Sequence, residues 1–171
     1  MCNFLTGNYC LELKVQQIDK LIDEVAGFQQ HDCAEKGISF HAHVDYTGQL
    51  VIDTDKMHRV LNNLINNAKE AIMEKGTAQQ GRISLHVSSR NGFAEFRIAD
   101  NGPGIHPDIR PRLFEPFITR GKKNGTGLGL AIVDKIIKDH GGTVEIESCC
   151  DAGGSGHETG TTFLVSIPLS S

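Results

Sequence analysis

Four asparagines stand in one stretch, HRVLNNLINNAKEAI (58–72), among apolar residues spaced for a buried helix face. Asn is a poor helix former, so Asn62, Asn63, Asn66 and Asn67 need a reason to be there. Asn63 and Asn67 are four apart and share a face. A carboxamide oxygen is a hard donor that suits Mg2+, an ion that fills the rest of its shell with waters and phosphates. Solvated asparagines are the plainer alternative. A second stretch, IADNGPGI (98–105), ends a strand on Asp100 and continues at once with Gly102 and Gly104. A carboxylate there can accept a hydrogen bond from the exocyclic amine of a base, and the glycines would let the base lie on the backbone. Asp-Asn-Gly is also good turn chemistry. A third, NGTGLGLAI (124–132), places Gly125, Gly127 and Gly129 before an apolar periodic run. Residues without a Cβ let backbone N–H groups approach an anion, and a following helix turns its positive end to the same place. A glycine-rich hinge would look the same.

Two familiar phosphate motifs do not fit. The P-loop spacing G-x-x-x-x-G-K-[ST] is absent from GKKNGTG, and the G-x-G-x-G spacing here is not the G-x-G-x-x-G of a dinucleotide fold. No D-x-[DN]-x-[DN]-G calcium loop and no H-E-x-x-H zinc motif occurs.

The elements that must position these residues follow from periodicity. CLELKV (10–15), ISFHAHV (38–44) and GQLVID (48–53) read as strands. Residues 16–37 form a helix with Ile18, Leu21, Ile22, Val25 and Phe28 on one face, ended by Gly37. Asp53 or Thr54 caps a second helix over about 55–75. RISLHVSS (82–89) and FAEFRIAD (93–100) alternate about the turn RNG and predict a hairpin. A third helix spans 128–140, and TVEIES (143–148) and GTTFLVSIPL (160–169) are further strands. Three helices and six to eight strands in this order predict a two-layer α+β sandwich with a mixed sheet and the helices on one face. Residues 101–126 are too long for an ordinary loop and read as a lid.

Composition narrows the classes. The chain has 171 residues, enough for one domain with a core. Hydrophobic residues are 39%, charged residues 22%, and the net charge is −4. That balance argues against a nucleic-acid partner. No apolar run approaches the ~18 residues of a membrane helix, and the N-terminus lacks a secretory pattern. The five cysteines, at 2, 10, 33, 149 and 150, have no zinc-site spacing and read as reduced thiols of a cytoplasmic protein.

Taken together, the asparagine helix, DNGPGI, LFEPFITR and GTGLGLAIV…HGG stand in the order of the N, G1, F and G2 boxes of the sensor histidine kinase catalytic domain. The chain resembles that family over about residues 10–169, within the wider superfamily of gyrase-like, chaperone-like and mismatch-repair-like ATPases. The resemblance implies a Bergerat-type ATP site with Mg2+, in a catalytic domain over 10–171. It makes Asn67 the metal ligand, with Asn63 one turn earlier, and Asp100 the adenine acceptor with Gly102, Gly104 and Ile105 beside it. Gly125, Thr126, Gly127, Leu128 and Gly129 fall on the phosphate side. Leu113, Phe114 and Phe117 match the lid's apolar anchor. Thr119, Arg120, Lys122 and Lys123 fall where the lid would reach the γ-phosphate.

In ATP-hydrolysing relatives a Glu one turn before the magnesium Asn serves as general base. Asn63 occupies that position and cannot take a proton, so phosphoryl transfer to a nucleophile supplied elsewhere fits better than hydrolysis. The family's phosphoacceptor His lies in an H-E/D-x-x-x-P helix that this sequence lacks. His31 precedes Asp32 but has no proline at the right offset, and reads as a solvated helix residue. Residues 1–9 resemble the junction after the missing dimerisation and phosphoacceptor region. The expected partners are that domain and a downstream response regulator, the chain itself being monomeric. The alternatives are an anti-sigma-type serine/threonine kinase and a nucleotide-binding module without catalysis. The long LFEPFITRGKKNGTGLGL segment and the N-terminal strand and helix favour the histidine kinase.

Overall fold

Apolar alternation in the strands and a 3.6-residue stripe in the helices build two layers from one chain. The computed structural model describes residues 10–76, 80–117, 127–150 and 158–169. The elements run β1 Lys14–Gln17, α1 Ile18–Glu35, β2 Ser39–Val44, β3 Gln49–Ile52, α2 Thr54–Glu74, β4 Arg82–Arg90, β5 Phe93–Asp100, a short 3-10 turn Arg110–Arg112, α3 Gly129–Asp139, β6 Thr143–Cys149 and β7 Gly160–Pro168.

Five strands form a mixed sheet in the order β2-β4-β5-β7-β6. Only β2 and β4 run parallel; the other pairs are antiparallel. Phe40, Ile83, Leu85, Val87, Ala94, Phe96, Ile98, Phe163, Val165 and Ile167 alternate to one face and are buried. The helices cover that face. From α2 come Met57, Val60, Leu61, Leu64, Ile65, Ala68 and Ile72, and from α3 Val133, Ile136 and Ile137. The expected mixed sheet is present, and two strands stand outside it. β1 and β3 leave it and pair with each other as a separate antiparallel ribbon, Lys14 opposite Ile52.

Local signals explain most boundaries. The Asp53 carboxylate accepts the Lys56 N–H at 3.1 Å and caps α2. Asn91 (φ 51°) and Gly92 (φ 81°) make the two-residue turn between β4 and β5 that Asn-Gly favours. Gly37 (φ 71°) and Gly141 (φ 72°) lie just past the ends of α1 and α3 in the left-handed conformation that closes helices.

One face assignment in α1 fails. Phe28, expected inside, is 68% exposed, and Gln29 is buried in its place. The stripe drifts by the 3.6-residue period through Val25, Gln29 and Cys33. Gln29 is accommodated because its Nε2 donates to Asn62 Oδ1 at 2.7 Å and its Oε1 accepts from Lys69 Nζ at 2.8 Å. Among the described residues no disulfide is present, and no helix is long and apolar enough to cross a membrane.

Candidate nucleotide-binding site

One stripe of α2 forms the floor of a cleft. Asn63, Asn67 and Ala71 stand four residues apart on one face, and a rise of ~1.5 Å per residue spreads them over about 12 Å. At one end Asn63 Oδ1 lies 3.4 Å from where a Cβ on Gly129 would stand, so the first residue of α3 faces it. At the other end a Cβ on Gly102 would meet the Ala71 Cβ at 3.3 Å and Asp100 Oδ1 at 2.8 Å. The four asparagines therefore divide. Asn62 holds Gln29 across the helix interface, Asn66 is exposed, and Asn63 and Asn67 share the cleft face, both half-buried.

Asp100 ends β5 beside the turn. Its Oδ1 accepts the Gly102 N–H at 2.8 Å, and the Thr161 N–H also bonds the carboxylate. Burial nevertheless pushes its pKa up to about 6, against the opposing pull of those two N–H groups and of the Lys75 charge. The result is a carboxylate with unused acceptor capacity at a cleft wall.

The turn after Asp100 is held from remote parts of the chain. Gly104 has φ 76°, and a Cβ there would come within 2.0 Å of the Cys149 carbonyl oxygen, so no side chain fits. Thr159 Oγ1 donates to the Gly102 carbonyl at 2.7 Å and accepts from Lys75 Nζ at 2.8 Å. The Ile105 N–H donates to Ser148 Oγ at 2.7 Å. Arg110 Nε donates to the Ile105 carbonyl at 3.2 Å, and its Nη2 donates to the Ser148 carbonyl. Sequence reasoning missed Lys75, Arg110, Ser148 and Thr159, since each is an ordinary residue type with no local pattern.

The phosphate side is described from Gly127 onward. Gly127 has φ 66°, and its carbonyl accepts the Phe117 N–H at 2.9 Å, so the two flanks of residues 118–126 meet. Leu128 is the N-cap of α3, and no side chain caps that helix. Its first N–H groups thus keep their donors for another acceptor. Leu113 and Phe114 pack against the core as the anchor reading requires, but Phe117 does not. It is 75% exposed, with φ 66°, a left-handed backbone that aims its ring outward. Thr119, Arg120, Lys122, Lys123, Gly125 and Thr126 lie outside the described residues. His31 is solvent-facing and pairs only with Glu35, at 3.4 Å, among the described residues.

The cleft's donor set fits Mg2+ of the kind carried by a nucleotide. Asn63 and Asn67 offer neutral hard oxygens on one helix face, and the phosphates would supply the charge. No group of three His, Cys, Asp or Glu side chains converges there among the described residues, so a transition-metal cage is not what this cleft builds.

Comparison with known proteins shows the family and the fold. Residues 52–171 match the family described as histidine kinase-, DNA gyrase B-, and HSP90-like ATPase. This chain belongs to that family, and its fold is that of histidine kinase ATP-binding catalytic domains. It is 44% identical over 130 residues to the sensory histidine kinase/phosphatase NtrB of Rhizobium meliloti (strain 1021), covering 68% of this chain and 31% of that protein. It is 43% identical over 112 residues to the C4-dicarboxylate transport sensor protein DctB of the same organism, covering 66% and 16%. The chain thus spans less than a third of either relative. The solved catalytic domain of histidine kinase ThkA superposes with a TM-score of 0.77 at 29% identity, covering 92% of this chain and 96% of that one. ThkA in complex with response regulator protein TrrA gives 0.74 at 26%, covering 94% and 42%. Full-length ShkA in complex with AMPPNP gives 0.76 at 29%, covering 95% and 32%.

Proposed function

We propose that this chain is the ATP-binding catalytic part of a two-component sensor histidine kinase, working on the cytoplasmic side where ATP is found. The observation that carries the reading is the order along α2. A base-acceptor corner at Asp100, Gly102 and Ala71, a carboxamide pair at Asn63 and Asn67, and the uncapped start of α3 follow one another over about 12 Å, the scale of a nucleoside triphosphate.

In this reading the Asp100 carboxylate accepts a hydrogen bond from the adenine amine, where guanine would present a carbonyl oxygen and be repelled. The missing Cβ atoms at Gly102 and Gly104 let the base approach the turn. Asn67, with Asn63 one turn earlier on the same face, would hold Mg2+, which would supply neutralising charge to the phosphates. The N–H groups at Gly127, Leu128 and Gly129, with Gly125 and Thr126, receive the phosphate oxygens. Thr119, Arg120, Lys122 and Lys123 close on the γ-phosphate from the lid. Asn63 cannot abstract a proton, so water is left unactivated. The γ-phosphorus instead forms a bond to an imidazole nitrogen as its bond to the ADP oxygen breaks. The acceptor His belongs to a dimerisation and phosphoacceptor domain, and a response regulator takes the phosphoryl group onward. The NtrB likeness and the ThkA–TrrA complex support these partners.

Calorimetric titration with a non-hydrolysable ATP analogue, with and without Mg2+ and with GTP as control, tests the site. Adenine-selective, Mg2+-assisted binding is expected, and Asn67→Ala should abolish the Mg2+ dependence. Mg2+ dependence unchanged in that variant removes Asn67 as ligand. Incubation with ATP and a separately made phosphoacceptor domain should then yield acid-labile phosphate, whereas acid-stable phosphate would point to a serine/threonine kinase.

A further inference from the structure

A second cluster of chemistry-bearing side chains stands on the opposite face of the sheet from α2. His43 on β2 and His86 on β4 are register partners in the parallel pair. Their neighbours in β4, Ile83, Leu85 and Val87, point into the core, so His86 points away from the helices. The two rings stack with centroids 5.4 Å apart and 28° between planes. Asp45, just past β2, completes the group. Its backbone N–H donates to the Val87 carbonyl at 2.8 Å, which fixes the turn against β4. Its carboxylate meets both imidazoles, Oδ1 with His43 Nε2 at 2.7 Å and Oδ2 with His86 Nε2 at 2.6 Å.

Both Nε2 atoms therefore converge on one carboxylate, and the three groups offer ligand atoms all within 4.8 Å of one another. Ligands about 2.0–2.2 Å from a single Zn2+ need only small side-chain rotations to close from that spread. The side chains are 72%, 54% and 40% exposed for His43, Asp45 and His86, so an ion can enter and the rings can turn. The cross-strand neighbour of His86, Arg97, is engaged by Glu147 at 3.1 Å, which limits its repulsion of a cation.

We propose that His43, Asp45 and His86 form a binding site for a divalent late first-row transition ion, zinc foremost, separate from the nucleotide cleft. Two imidazoles and a carboxylate are the ligand types these ions select, and three protein ligands leave one tetrahedral position to water or a partner's side chain. The ion clips the edge strand β2 and its outgoing turn to β4, and stabilises the fold by an amount that grows with the logarithm of free metal above its Kd.

The test is titration of the nucleotide-free full chain with Zn2+ by calorimetry and with Co2+ by visible absorption. One ion per chain is expected, with a Co2+ spectrum free of thiolate charge-transfer bands and a melting temperature that rises with Zn2+. His86→Gln and His43→Gln should each weaken binding by about 100-fold or more, beyond the ~10–100-fold that follows loss of a ligand's supporting partner. Asp45→Asn should also weaken it, because an amide brings no negative charge to the ion. His43 is the most exposed of the three, so its variant keeps the test valid if His86→Gln folds poorly. Both His variants should bind the ATP analogue as the parent does. Absence of binding, thiolate bands, or affinity unchanged in the His variants overturns the proposal.

Discussion

Asp32 and Asp100 both stand beside α2, and their surroundings drive them in opposite directions. Lys36 and Lys69 donate hydrogen bonds to Asp32 and hold its carboxyl below the usual range. Lys69 is buried, and its ammonium also donates to Gln29, which in turn donates to Asn62. Asn62, Gln29, Lys69, Asp32 and Lys36 are thus linked by side-chain hydrogen bonds across the α1–α2 seam. Asp100 has backbone N–H groups and a helix-lined cleft, and burial raises it to about 6. A satisfied buried network holds two helices in one arrangement. A desolvated carboxylate on a cleft wall is a candidate for completing its bonding with a ligand. The charge type is the same and the pKa moves in opposite directions because of what is packed around it.

The largest expected effect tests the structural side. Lys69→Ala strands Gln29 and takes one cation from Asp32, and should lower unfolding free energy by about 2–4 kcal/mol. That is less than the full loss for a buried pair because Asp32 keeps Lys36 and some solvent. Urea denaturation would show it, with nucleotide affinity of the folded protein unchanged. A loss of affinity without a loss of stability would reverse the roles assigned to the two regions.

Asp100→Asn should move two quantities in opposite directions. Affinity for the ATP analogue should fall by about 10–100-fold, the scale of one hydrogen bond to a charged group. Stability without nucleotide should rise, by an amount on the order of 3 kcal/mol at most above pH 7, because an amide has no ionised form to bury. Calorimetry and a thermal melt on the same sample would read both. A variant less stable and equally tight-binding would make Asp100 a structural group like Asp32.

The pH dependence is the smallest effect and separates the two carboxylates. Asp100 is raised in the folded state, so its contribution to stability is complete below about 3.8 and is lost as pH rises through about 6. Asp32 is lowered, so its contribution is present above its ordinary value of 3.8 and is lost as pH falls through its depressed folded value. Nucleotide affinity should rise between about pH 5 and 7, by no more than about tenfold per unit, as Asp100 ionises. Melts and titrations across that window, with Asp100→Asn as the flat reference, would reveal the difference.

Much of the candidate site stood out in the sequence because its residues break local rules. Asparagines inside a helix and glycines at alternate positions are unfavourable unless something needs them, and Asn63, Asn67, Gly102 and Gly129 do line one cleft. Arg110, Ser148 and Thr159 carried no such signal. They act on backbone atoms up to 57 residues away, through bonds that any polar residue of suitable length could make. The same reason hid His86 from His43 and Asp45, since 41 residues separate His86 from Asp45 and only the parallel register of β2 on β4 brings them together.

The three helices, the Asn-Gly hairpin, the chain reversals at Gly37 and Gly141, and the candidate polar residues of the cleft can all be read from the order of the amino acids. Those depend on periodicity, caps and backbone freedom, which act over a few residues. The tertiary structure alone decided that β1 and β3 form their own ribbon, that Gln29 is buried where Phe28 was expected, and that Phe117 faces outward. It also decided the charge behaviour of Asp100. These outcomes depend on which distant surfaces meet, and burial and desolvation exist only once they have met.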